Sequence, residues 1–237
     1  MKRFFALVLT IAIMACTLSS CVETPVEKTD SYGTGACVLA TERDTSKNNV
    51  GYIEICVENY GKMVLLLDAT AAPKTVVNFI GLVKAGFYGT EEADEHIYAD
   101  TFHLVHPGWV LQGGCPNADG SGGLETTVDG EFLDNGWTKN DITHKRGVIS
   151  MVRGNEHNSA SCQFFICDAD LPQLDRQYSS FGYIIQGMSV LDEIMEDYAD
   201  LGNPDMAYII EDKANQPVIK YIKWLPDEDG YWASKHS

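Results

Sequence analysis

Two stretches of this chain concentrate side chains able to do chemistry. Thr101 to Gly114 reads TFHLVHPGWVLQGG, and Ser150 to Cys167 reads SMVRGNEHNSASCQFFIC. Three chemistries compete for them. His103 and His106, with Cys115, Cys162 and Cys167, have the atom types of a zinc site. Their spacing argues against one, because no two chelating couples stand at zinc-ribbon distance. A strand also sends residues three apart to opposite faces. A cysteine–histidine nucleophile on Cys115 or Cys162 is the second chemistry. The third is simpler. Period-two alternation puts Gln163 and Phe165 on one face of a strand, and Val110 and Gln112 on one face of another. Amide groups beside apolar side chains hold a ligand with no metal and no nucleophile, although from spacing alone the apolar members read as barrel core. Asp134-Asn135, Asn140-Asp141 and the Asp/Glu-rich segments lack the spacing of a calcium loop, so no metal and no cofactor is expected.

The elements that must position these residues are short. GYIEICV (51–57) and KMVLLL (62–67) flank Glu58-Asn59-Tyr60-Gly61, a hairpin signal. Val76, Phe79, Ile80 and Val83 recur at helical spacing, with Pro73 suited to the first turn and Gly86 to the stop. Gly89 to Asp100 is acidic and reads as an exposed insertion. Strand-like runs follow at Phe102–Gln112, Val148–Val152, Gln163–Cys167 and Phe181–Gln186. Val190, Leu191, Ile194 and Met195 mark a second helix over Ser189–Tyr198, and a last strand spans Val218–Trp224. Many short strands, Gly-rich turns and two helices predict a mainly β fold, a closed antiparallel barrel capped by the helices. Composition alone fits a sandwich as well.

Seven segments, in order, resemble the motifs of cyclophilin-type peptidyl-prolyl isomerases. Phe102-His103 through Gln112-Gly113-Gly114 is similar to F-H-R-x-x-x-x-F-M-x-Q-G-G. Ser150-Met151 and Gln163-Phe164-Phe165-Ile166 are similar to S-M-A…S-Q-F-F-I. Ala72 to Phe79 resembles P-K-T-x-x-N-F, and Gly120 to Gly123 resembles G-T-G-G. His144 to Met151 resembles H-x-R-G-x-x-S-M, and Leu174-Asp175 with Phe181-Gly182 resembles L-D-x-x-x-x-x-F-G. The likeness runs from about Gly51 to Tyr198 and more weakly to Trp224. It implies an eight-stranded cyclophilin barrel and accounts for Cys115 and Cys162 without nucleophilic chemistry. One position departs: Leu104 stands where the family carries its catalytic arginine.

The implied chemistry is rotation about an X–Pro amide, whose barrier of ~18–20 kcal/mol comes from partial double-bond character. Uncatalysed, it takes tens to hundreds of seconds. No bond breaks, so a catalyst need only grip the ring, pin the backbone and favour the twisted amide. The resemblance places Trp109, Val110, Phe165 and Leu174 around the proline, with Gln112 and Gln163 on the substrate backbone. Tyr178, His103 and Arg153 stand near it, and Leu104, Gln112, Phe165 and Tyr178 occupy the catalytic positions. Leucine donates no hydrogen bond, so weakened activity is expected unless Arg153 or His106 substitutes. The alternative is a non-catalytic module that binds prolyl peptides or protein partners, with the acidic 89–100 segment in its recognition surface.

Lys2 and Arg3, an apolar run from Phe4 to Ala15, and Leu18-Ser19-Ser20-Cys21 read as a bacterial lipoprotein signal over 1–20, with Cys21 lipidated. Ile13-Met14-Ala15-Cys16 is a weaker candidate site. Residues 21–45 then make the anchor and a flexible tether, and 46–237 the cyclophilin-like domain. The expected location is extracytoplasmic on a bacterial membrane, with proline-containing peptides or unfolded exported proteins as partners. A net charge of −17 argues against nucleic acid. Beyond Cys21 remain Cys37, Cys56, Cys115, Cys162 and Cys167, an odd set, so at least one thiol has no internal partner. Cys162 and Cys167 are expected on opposite faces, too far apart to bridge.

Overall fold

In a computed structural model of the chain, residues 50–92, 99–199 and 209–226 are described. The expected signal peptide, Cys21, the tether, Cys37, the middle of the acidic segment and the acidic tail past residue 226 lie outside them. The chain opens on the expected hairpin, β1 (Val50–Val57) and β2 (Gly61–Asp68), in register from Val50–Asp68 to Val57–Gly61. Asn59 (φ 67°) and Gly61 (φ 113°) take the left-handed region that these residues tolerate best. Helix α1 (Pro73–Lys84) follows, with Pro73 in its first turn, where a missing N–H costs nothing. Then come β3 (Phe102–His106), β4 (Val110–Gly113), β5 (Val148–Met151), β6 (Phe164–Cys167), β7 (Ser180–Gln186), α2 (Met188–Asp197) and β8 (Ile219–Leu225). The strands form one curled antiparallel sheet in the order β3-β4-β6-β5-β7-β2-β1-β8.

Alternation gives this sheet two apolar faces. Ile53, Ile55, Leu65, Leu67, Phe164 and Ile166 face the main core with both helices. Tyr52, Leu66, Val110, Val148, Phe165 and Cys167 form a smaller cluster on the other face. Phe79 joins α1 to the sheet, its ring 5.1 Å from Phe181 and 5.4 Å from Phe164, centroid to centroid. Burying each such side chain contributes about 1.5–3 kcal/mol. Cys162 and Cys167 fall in different clusters, as expected. Among the described residues Cys115, Cys162 and Cys167 are buried free thiols, and Cys56 is buried in β1.

Three expectations change. The barrel is not closed along its length: edge strands β3 and β8 meet at one isolated bridge, Thr101–Val218. Next to it, residues 209–210 take the β3 edge at His103 and Leu104, where the Ile210 N–H reaches the His103 carbonyl at 2.8 Å and Ile209 bridges Leu104. The run Phe102–Gln112 is a hairpin rather than one strand. Pro107 and Gly108 (φ 75°) fold it back, and the Trp109 N–H closes the turn on the His106 carbonyl at 2.9 Å, the residue order of a type II turn. Finally, the acidic segment is tied at both ends. Glu91 pairs with Lys223 at 3.0 Å, and the buried Asp100 pairs with Lys213 at 3.0 Å.

No local side chain caps α1. The buried Glu131 does so from a distant loop, accepting the Lys74 N–H at 2.9 Å and the Thr75 N–H at 2.8 Å. A carboxylate there satisfies two orphan donors and complements the helix dipole. The backbone of Glu131 is itself held, its N–H by Ser179 Oγ at 2.8 Å and its carbonyl by Asn140 Nδ2 at 2.8 Å. Glu131→Ala is therefore expected to lower unfolding free energy by about 1.5–3 kcal/mol, the range for hydrogen bonds to a charged group. Urea denaturation checks it, and a change under ~0.5 kcal/mol would remove this cap from the account.

Candidate active site

The smaller apolar cluster opens into a hollow of about 140 Å³. Val110 comes from β4, Phe165 from β6, and Leu174 from the 3-10 turn Pro172–Leu174. Trp109 and Val152 complete its apolar part, while Gln112, Arg153 and Tyr178 supply the polar groups. Strand register explains the gathering, since Val110 opposes Cys167, and Gln112 opposes both Phe165 on β6 and Leu104 on β3.

Each lining group is held from behind. The turn carrying Trp109 is clasped by Asp168, whose carboxylate takes the Gly108 N–H at 2.8 Å and whose N–H reaches the Trp109 carbonyl at 2.9 Å. Arg146 in turn holds Asp168, at 3.2 Å, and Asp192 of α2. Phe165 lies on the buried His144 ring, centroids 6.0 Å apart at 16°, and the Tyr178 ring meets Phe165 edge-on at 5.8 Å. His144 is fixed by Asp175 at 2.9 Å and Ser150 at 3.1 Å. Burial pushes its pKa down, against the opposing pull of Asp175, so the imidazole is neutral at pH 7.

Gln112 Nε2 donates to Gln163 Oε1 at 3.0 Å and to His103 Nε2 at 3.2 Å. Gln163 Nε2 passes the chain on to the carbonyls of Gly120 (2.9 Å) and Gly122 (2.6 Å). Gln112 is thereby fixed in one orientation, with its Oε1 uncommitted among the described residues. His103 accepts at Nε2, so its proton sits on Nδ1, which is buried with no hydrogen-bond partner among the described residues. Burial drives the His103 pKa down to about 4. A β-bulge between Phe102 and Leu104 makes room for this ring. At the end of β4 only glycine fits: a Cβ on Gly114 (φ 79°) would come 2.7 Å from the Cys162 carbonyl oxygen.

Of the expected site residues, the hollow gathers Trp109, Val110, Gln112, Arg153, Phe165, Leu174 and Tyr178. His103 and Gln163 stand behind Gln112 as supports. Leu104 packs partly buried against the same cluster and is not part of the lining. His106 faces its own turn, Nδ1 lying 3.2 Å from the Pro107 carbonyl. The acidic segment's Glu91 belongs to the β8 side and does not reach the hollow. Sequence reasoning missed Val152 as lining and His144 as the plate under Phe165. Val152 sits directly after the S-M pair, and His144 opens a quoted motif, but nothing local shows what either touches.

The family model described as cyclophilin type peptidyl-prolyl cis-trans isomerase/CLD matches residues 52–217. This chain belongs to the cyclophilin family. It is similar to a peptidyl-prolyl cis-trans isomerase of Helicobacter pylori, 39% identical over 140 residues, covering 58% of this chain and 77% of that protein. Similarity to peptidyl-prolyl cis-trans isomerase B of Bacillus subtilis is 36% over 132 residues, covering 56% and 82%. Among solved structures, a cyclophilin type isomerase of Cryptosporidium parvum superposes with TM-score 0.59 at 26% identity, covering 75% of this chain and 98% of that one. A second structure of that cyclophilin, in the presence of the dipeptide Ala-Pro, gives TM-score 0.58 at 26% identity, covering 74% and 99%.

The two buried imidazoles set a pH dependence for this cyclophilin. A histidine whose folded pKa lies below its unfolded value binds more protons when unfolded, so stability falls as pH drops below about 6.5. For His103 the loss runs down to its folded pKa of about 4. By pH 5 that one group is expected to cost about 2 kcal/mol relative to pH 7. Denaturant midpoints at pH 7 and pH 5 measure it. His103→Gln should flatten the slope, and an unchanged slope would assign it to other groups.

Proposed function

We propose that this cyclophilin catalyses cis–trans isomerisation of X–Pro bonds in exported proteins, with activity weakened at Leu104. The observation that carries the reading is the convergence of Val110, Phe165, Leu174 and Trp109 on one hollow beside a fixed glutamine amide. An apolar hollow takes the proline ring. The uncommitted Gln112 Oε1 accepts a backbone N–H of the peptide, and the Tyr178 side bounds the chain as it passes. A gripped ring and a pinned backbone leave the amide as the free torsion. Rotation then needs no bond made or broken, only stronger binding of the twisted form.

Leu104 favours a second reading, a prolyl-peptide binder without turnover. Its side chain neither donates nor carries charge, and loss of one preorganised donor elsewhere costs ~10²–10³ in rate. The extracytoplasmic, membrane-anchored setting rests on the sequence from Lys2 to Cys21, with lipid on Cys21 as anchor.

NMR exchange spectroscopy on an Ala-Pro peptide separates the readings. The expected result is slow but measurable acceleration by the natural chain, raised roughly 10²-fold by Leu104→Arg. Binding without exchange in the natural chain would establish the binder. Neither binding nor exchange by a folded chain defeats both. Membrane fractionation of the natural chain and Cys21→Ala in a bacterial host tests the anchor; an unaltered distribution rules it out.

A further inference from the structure

The lining of the hollow contains one cation, Arg153, and it is unusually well fixed. Its Nε donates to the Gln177 carbonyl at 2.9 Å, and its Nη1 to the carbonyls of Gly154 at 2.9 Å and Asn155 at 3.4 Å. The guanidinium lies over two rings, 4.8 Å from the Tyr178 centroid and 5.3 Å from that of Phe132. Cation–π contact and a planar fork restrain arginine in a way lysine cannot reproduce. Three anchors leave Nη2 without a partner among the described residues.

The other donors facing the hollow are mostly committed. Both Nε2 hydrogens of Gln112 go to His103 and Gln163. Leu104 offers none. His103 is neutral and lies behind Gln112, and His106 is not part of the lining. The twisted amide, by contrast, needs a positive donor. Loss of resonance returns a lone pair to the prolyl nitrogen, and a cation with a free N–H stabilises that nitrogen more than the planar one.

We propose that Arg153 is the catalytic residue of this site, its Nη2 donating to the prolyl nitrogen as the amide twists, in place of the donor that Leu104 cannot supply. The inference rests on the isomerase reading above. Arg153 reaches the hollow because Val152 continues the β5–β6 pairing, its N–H on the Gln163 carbonyl at 3.0 Å. Gln163 is also the residue that orients Gln112. The backbone grip and the donor are thus built on adjacent residues of one ladder.

The test compares the full natural chain with Arg153→Gln, Arg153→Lys and Tyr178→Phe by peptide exchange, with Ala-Pro peptide affinity measured alongside. Arg153→Gln is expected to slow exchange at saturating peptide about 10- to 100-fold, nearer the lower figure because the guanidinium is partly solvated. Peptide affinity should hold. Arg153→Lys should recover part of the rate, and adding Leu104→Arg to Arg153→Gln should restore it. Unchanged exchange in Arg153→Gln overturns the proposal. So does a loss matched by an equal loss of affinity, which would make Arg153 a wall, or a loss confined to Tyr178→Phe, which would assign the donor to the phenol. If the natural chain binds peptide without exchange, Arg153 is not catalytic and the binder reading stands. If it binds nothing, the function reading itself has failed.

Discussion

Everything in this molecule depends on a sheet that must bury both faces of β4 and β6. Phe164 and Ile166 point into the main core, and Phe165 and Cys167 point the other way. Both α-helices cover the first face. Among the described residues no α-helix covers the second. Its apolar residues are closed instead by the Trp109 turn, the Leu174 turn and Tyr178, which leave the hollow between them. The site is therefore the unfilled part of a second core. Its geometry is as rigid as the ladder that carries it.

Around that hollow the polar groups are arranged to stay put rather than to react. His144 and His103 are buried and neutral, and burial also raises the thiol pKa of Cys162 and Cys167. A thiol held protonated is a poor nucleophile. Hydrogen-bond chains use up most of the donors: Gly120 and Gly122 fix Gln163, Gln163 fixes Gln112, and Asp168 fixes the Trp109 turn. Such an environment suits a reaction that only changes a torsion. It offers orientation, shape and charge.

The local patterns in the sequence carried the hairpin at Asn59, both helices and the faces shared by Val110 with Gln112 and by Gln163 with Phe165. Each of these is written within a few residues, by alternation, helical spacing or a turn pair. What escaped was non-local or broke a period. The bulge at His103 shifts the phase of β3, so Phe102 and Val105 reach the same core although three apart. Glu131 caps a helix more than fifty residues earlier in the chain. Ile210 takes up a carbonyl on β3 that a fully closed barrel would have paired with another strand. The Pro107-Gly108 pair was a readable exception, a turn signal lying inside a run whose apolar residues drew attention first.

That strip at Ile209–Ile210 has a consequence for how the molecule keeps company. An exposed strand edge is a row of unpaired amides to which other chains add themselves, and sheet proteins aggregate through it. Here the strip occupies the β3 edge beside His103 and Leu104, while Pro217 and Asp100 tie the neighbouring edges together at 2.9 Å and 2.7 Å. Gln216 pins the strip from within, through Thr101 at 2.6 Å and the Ala118 and Ile210 carbonyls at 2.7 Å. An incoming chain finds the backbone beside His103 and Leu104 already paired, so this stretch of the β3 edge gives it nothing along which to zip.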